Sequence, residues 1–215
     1  MKLVSLNVSM GRTVRWEGRD VETGIFKESV PGPLRVTRHN LEGDRQSDLQ
    51  VHGGEFKAIY AYSAEHYAWW NRELGRALPY GTFGENLTLE GFTEEEVCVG
   101  DRLRVGTAVL EAVQPRFPCF KLGIRFGDMG IVEKFLDSGR FGVYFRVAEE
   151  GVVAAGDSGE WVHRDPARFP VPEILRLSAA PSKPAAELRR ALSAKALPPS
   201  WREKFSRRLS EAAGA

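Results

Sequence analysis

Cys119 sits in the stretch Gln114-Pro115-Arg116-Phe117-Pro118-Cys119-Phe120-Lys121-Leu122, directly after an apolar run at 108–113 that reads as a strand. Two prolines hold the backbone on either side of Arg116 and Phe117, so an extended, non-helical turn is expected. Arg116 and Lys121 bring positive charge to the neighbourhood of the thiol. Such charge favours a thiolate, which is both a nucleophile and a soft metal ligand. A buried structural cysteine is the plainer reading of the same residue.

Three further stretches carry chemistry. His52-Gly53-Gly54 followed by Lys57 could cradle an anion, because paired glycines let backbone amides approach a ligand and the lysine completes a phosphate contact. Phe83-Gly84-Glu85-Asn86 places an amide, both donor and acceptor, where a polar heterocycle could be read. Lys27 and Arg38 are single candidates for phosphate contacts. Taken in isolation, each of these is better read as a turn or as solvated surface. There is no GxGxxG, GxxxxGK[ST], CxxC, HExxH or GxSxG. Cys119 could pair with His39, His52, His66 or His163 in a thiol enzyme, but nothing local marks a pairing.

The elements that must position these residues are mostly short strands. They are expected at 3–8 and 12–17 around a Gly11 turn, then at 34–38, 58–62, 86–89, 102–105, 108–113, 143–147 and 160–162. Ser63 reads as the N-cap of a helix carrying Tyr67, Trp70 and Leu74, with His66 at the capping-box position and Gly75 near its end. A second short helix is expected at 128–137. Many strands between Gly-rich turns point to a mainly β fold of barrel or sandwich type. Composition changes near Asp165-Pro166, and helices are expected at about 172–178, 184–193 and 199–211. Trp201, Phe205 and Leu209 lie four apart and read as core.

The 215 residues, 42% of them hydrophobic, suffice for one full core with a small appended unit. A net charge of +1 supplies no global field for nucleic acid. The charge is uneven, however: residues 183–208 hold eight basic and two acidic side chains. Two cysteines do not make a disulfide scaffold, no secretory leader is evident, and no apolar run approaches membrane-spanning length. A cytoplasmic setting without membrane contact is expected.

In order along the chain, Lys27, Gly43-Asp44 with Gln46 and Asp48, His52-Gly53-Gly54, Lys57-Ala58, Phe83-Gly84-Glu85-Asn86, Gly100-Asp101, Gln114-Pro115-Arg116 and Pro118-Cys119 resemble the MOSC domain. That module is related to the C-terminal part of molybdenum-cofactor sulfurases. The helical tail resembles the three-helix extension of the YiiM-like subgroup. The resemblance implies a MOSC-type β-barrel over 1–165 with a few short helices, and a three-helix domain over 166–215. It implies binding of the molybdenum cofactor, a molybdopterin, with Cys119 as catalytic residue and molybdenum ligand. Lys27, His52, Gly53, Gly54, Lys57, Glu85, Asn86 and Arg116 would be its binding residues. Phe120 stands where many relatives carry Trp. The implied activity is reduction of N-hydroxylated compounds, such as base analogues, to amines. With no flavin or nicotinamide fingerprint in the chain, electrons would come from a separate flavin-type reductase. Two other readings stay open: a non-catalytic carrier of the cofactor or of Cys-bound sulfur, and a metal-free thiol hydrolase or transferase.

Overall fold

A computed structural model describes residues 1–47, 53–180 and 184–213. The chain begins with β1 (Lys2–Val8), β2 (Arg12–Trp16), β3 (Arg19–Thr23), β4 (Glu28–Val30) and β5 (Leu34–Val36). It continues through β6 (Ile59–Ser63), α1 (Ala64–Leu74), β7 (Leu87–Glu90), β8 (Arg102–Val105) and β9 (Ala108–Pro115). Then come α2 (Phe120–Phe126), α3 (Gly130–Asp137), β10 (Val143–Glu149), β11 (Gly151–Val153) and β12 (Gly159–His163). Helices α4 (Glu173–Ala179), α5 (Ala185–Ser193) and α6 (Pro199–Ala213) end it.

Eight strands form one sheet in the order β12-β8-β9-β10-β6-β7-β1-β4. The pair β6–β7 is parallel, and α1 supplies the crossover that a parallel pair needs. Strand β9 lies inside this sheet and is buried along its whole length. That explains how it tolerates Glu111: the carboxylate takes Arg102 Nε at 2.9 Å from β8 and Arg146 Nε at 2.5 Å from β10.

The ladders do not close into the expected barrel, since β12 and β4 remain the two ends of the sheet. One isolated bridge, Lys2 to Ser158, joins β1 to the chain entering β12, helped by Leu3 N–H donating to the Asp157 carbonyl at 2.9 Å. With six helices among the described residues, the architecture is mixed rather than mainly β.

Helix α1 starts as its sequence dictates. Ser63 Oγ accepts from Glu65 N–H at 3.2 Å, and Gly75 closes the helix at φ 64°. His66 does not complete a capping box; its Nε2 meets Glu94 Oε2 at 2.7 Å. Helix α2 was not expected. It is only seven residues long and too short to show a period, with Cys119 as its N-cap and Gly127 (φ 70°) as its stop.

The C-terminal helices share the core of the sheet. Ile174, Leu177, Leu188 and Phe205 are fully buried in the same apolar cluster as Leu103, Leu110 and Phe145. Their basic residues serve the helix ends. Arg202 donates from Nη1 to the Leu192 carbonyl and from Nη2 to the Ala194 carbonyl, both at 2.7 Å, covering the end of α5. Arg208 covers the end of α4 through the Ser178 and Ala180 carbonyls.

Candidate functional site

Cys119 opens into a cleft of about 100 Å³ between the 23–27 segment, the 44–47 loop, β6, β10 and the turn that leaves β9. The extended turn is present: Cys119 has φ −134° and ψ 176°, and its side chain does not cap α2. Sγ is therefore uncommitted to the helix. The wall holds five cationic side chains, Lys27, Arg45, Lys57, Arg116 and Lys121, against one carboxylate, Asp44. Such a wall suits an anionic ligand.

Lys27 and Asp44 neutralise each other. Lys27 Nζ lies 2.5 Å from both carboxylate oxygens, and both side chains are buried. Burial pulls the Lys27 ammonium below its usual range, and Asp44 opposes that. Asp44 also accepts from Ser9 N–H at 2.8 Å and from Asn86 Nδ2 at 2.9 Å. Asn86 Oδ1 accepts from Tyr60 N–H at 3.1 Å. The Asn86 amide, read from sequence as a heterocycle contact, thus staples the Asp44 loop to β6. It lines the cleft with its hydrogen bonds largely committed.

Arg116 differs. Its side chain is buried and its Nη1 has no hydrogen-bond partner among the described residues. Its Cζ lies 5.1 Å from the Tyr60 ring centroid and 5.6 Å from that of Phe135. Burial works against its charge, yet its pKa stays above the usual value and the guanidinium remains charged. Two aromatic faces therefore carry a guanidinium whose free N–H has nothing to donate to. Gly84 (φ 78°) lies beside it: a Cβ there would crowd Ile25 Cγ1 at 3.2 Å and meet Arg116 Nη1 in ordinary contact at 3.6 Å.

Glu85 lies outside the cleft wall. It is fully buried behind Gly84, and its Oε1 accepts from Tyr67 OH, from Gly81 N–H at 2.8 Å and from Thr88 Oγ1 at 3.0 Å. Its Oε2 has no hydrogen-bond partner among the described residues. The carboxyl thus shapes the Gly81–Gly84 turn, and burial pushes its pKa up.

Lys57 reaches the cleft at the end of a 3-10 turn rather than in a strand. Gly53 and Gly54 are not in the wall, and Gly54 N–H is taken by Gln46 Oε1 at 3.0 Å. His52 and Asp48 lie outside the described residues. Arg38 pairs with Glu55 at 3.3 Å away from the cleft. Sequence reasoning missed Tyr60, Tyr144 and Arg45 as wall residues. The tyrosines fall in apolar strands and carry no signal that separates them from core. Burial raises both phenols, so they stay protonated. The second cysteine, Cys98, is buried with its N–H on Asp101 Oδ2 and is not part of the cleft.

Residues 48–160 match the MOSC domain, and residues 170–212 match the YiiM-like 3-alpha helix domain. The chain is 41% identical over 206 residues to YflK of Bacillus subtilis, covering 96% of this chain and 93% of that protein. It is 31% identical over 179 residues to a protein of Gibberella moniliformis named "Reductase", covering 81% of this chain but spanning about a third of that protein (32%). The crystal structure of YiiM from Geobacillus stearothermophilus superposes with a TM-score of 0.80 at 36% identity, covering 97% of this chain and 98% of that one. MOSC domains are associated with molybdenum-cofactor binding. Sequence, domain order and fold agree, and the chain belongs to the MOSC domain family, with the YiiM-like three-helix domain following the MOSC domain.

Proposed function

We propose that the Cys119 cleft binds the molybdenum cofactor and that the protein reduces N-hydroxylated compounds to amines. The observation that carries this reading is the buried, unpartnered Arg116 Nη1 in the same cleft as an available thiol. Among the described residues no three His, Cys, Asp or Glu side chains converge on a point, so Cys119 is the protein donor on offer. A single thiolate suits a metal that arrives with its own sulfur ligands.

The residues fit the cofactor in three ways. Cys119 Sγ would ligate molybdenum. Arg116 Nη1 would donate to an anionic oxygen, with Lys57 and Lys121 adding charge around the phosphate. When bound, the cofactor supplies the two electrons that, with two protons, convert R–NHOH to R–NH2 and water. Tyr144, kept protonated by burial, lines the cleft and would donate its phenolic hydrogen toward the departing oxygen. Electrons would come from a separate flavin-type reductase.

The test is expression in a host that makes the cofactor. Purified protein should carry molybdenum and pterin in about equal amounts, and should turn over an aromatic hydroxylamine with a reduced dye. Protein that carries the cofactor without turnover would be a carrier. Protein without molybdenum or pterin, in a host that loads other molybdoenzymes, would refute the reading.

A further inference from the structure

The helical unit touches the residues behind the cleft wall through one indole. Trp201 of α6 stacks on Phe117, with ring centroids 5.4 Å apart and planes at 22°. Its Nε1–H donates to Gln114 Oε1 at 2.8 Å. Gln114 Nε2 then donates to the Phe56 carbonyl at 3.0 Å. Phe56 belongs to the turn that ends at Lys57, and Phe117 precedes Cys119 by two residues. Phe117, Cys119 and Lys57 all line the cleft.

Each link in this chain is costly to lose. Gln114 is 6% exposed, so an amide left without its partner there stays unpaired away from water. Phe117 is 41% exposed, and Trp201 covers one face of its ring. Trp201 itself is anchored by Phe205, 5.8 Å away centroid to centroid, and that ring is fully buried in the common core. The line of contact therefore runs from the core, through the indole, to both the thiol turn and the lysine turn.

We propose that Trp201 is a positioning residue of the cleft: the C-terminal helical unit, through this indole, sets the pose of the Cys119 turn and of the Lys57 turn. The inference stands apart from the reductase reading, because it is read on the thiol of cofactor-free protein.

The experiment is iodoacetamide alkylation in a Cys98→Ala background, where Cys119 is the remaining thiol. Rates are followed across pH so that limiting rates of the ionised thiol are compared. Trp201→Ala frees the turn and should raise the limiting rate about fivefold or more, since access controls thiolate reactivity. Trp201→Phe keeps a ring on Phe117 but loses the N–H donor, and should give a smaller rise of about twofold to threefold. Phe117→Leu breaks the stack from the other side and should match Trp201→Ala. Leu188→Ala, deep in α5, should lower Tm while leaving the rate within about twofold. The proposal is overturned if Trp201→Ala and Phe117→Leu both stay within about twofold of the parent, or if Leu188→Ala speeds alkylation as much, because the effect then tracks stability alone. Should Trp201→Ala fail to fold, the Trp201→Phe and Phe117→Leu rates decide by the same limits.

Discussion

Arg116 lies across the ring of Tyr60, Cζ 5.1 Å from its centroid, with Nη1 buried and donating to nothing among the described residues. A ring face stabilises the charge without using the N–H. The side chain therefore holds its binding capacity in reserve. Arg116→Met should weaken phosphate binding to cofactor-free protein roughly tenfold to a hundredfold, because a charge-assisted hydrogen bond is worth about 1.5–3 kcal/mol. Stability should not fall with it, since a buried charge without an ion partner is costly to hold. Calorimetry with phosphate and a thermal melt check both halves. A large drop in Tm with unchanged phosphate affinity would show that Arg116 is structural.

Much of this site was legible in sequence because its residue types are unusual where they stand. A cysteine after two prolines, and Gly84 before a buried acid and amide, follow from chain chemistry that any fold must obey. Their roles were less legible. Asn86, read as a heterocycle contact, lines the cleft and also staples the Asp44 loop; Lys27, read as a candidate phosphate contact, lines it paired with Asp44, seventeen residues on. Such pairings are set by tertiary contact, which spacing does not encode. The strand and helix positions follow from periodicity and caps, whereas sheet closure and the mixed content depend on long-range pairing. Helix α2 escaped notice because seven residues after a proline show too little pattern.

Glu85 should make stability depend on pH. Burial raises its folded pKa above the usual 4.5, against the hydrogen bonds from Tyr67, Gly81 and Thr88. The folded protein thus keeps a proton that the unfolded chain has already released. The resulting stability is fully present below the unfolded value and is lost as pH rises through the folded one. Glu85→Gln keeps an oxygen for those three donors and places an NH2 where Oε2 has no partner among the described residues. In urea unfolding from about pH 4 to about pH 8, wild type should lose stability relative to Glu85→Gln as pH rises. A flat difference across that window would mean that Glu85 titrates alike in the folded and unfolded protein, and a rising one that it is ionised when folded.

The two cysteines should separate cleanly. Burial raises the Cys98 pKa, and the neighbouring Asp101 adds to the effect, so this thiol should alkylate slowly in native protein. Cys119 lines the cleft and should react first. Protein made in a cofactor-producing host should lose its molybdenum on Cys119→Ala and keep it on Cys98→Ala, by elemental analysis. Equal metal content in both variants would remove Cys119 as the ligand.

We propose the basic C-terminal segment as the docking face for an acidic electron donor, and the hydrogen bonds of its arginines decide which of them can test it. Arg190 donates to the Ala167 and Arg168 carbonyls, and Arg202 and Arg208 cover the ends of α5 and α4. Reversing any of these three would disturb the fold through lost charge-assisted hydrogen bonds, at a cost of about 1.5–3 kcal/mol each. Arg189 and Arg207 are exposed, so they can carry a reversal without that damage. The variant to make is Arg189→Glu with Arg207→Glu. Opposite charge across an encounter surface acts mainly on association rate and salt dependence. Turnover driven by the flavin-type reductase should therefore fall and lose its salt sensitivity, while turnover with a small neutral reductant should hold. If the reductase-driven rate and its salt slope are both unchanged, the donor docks elsewhere and the basic side chains of these helices serve the fold.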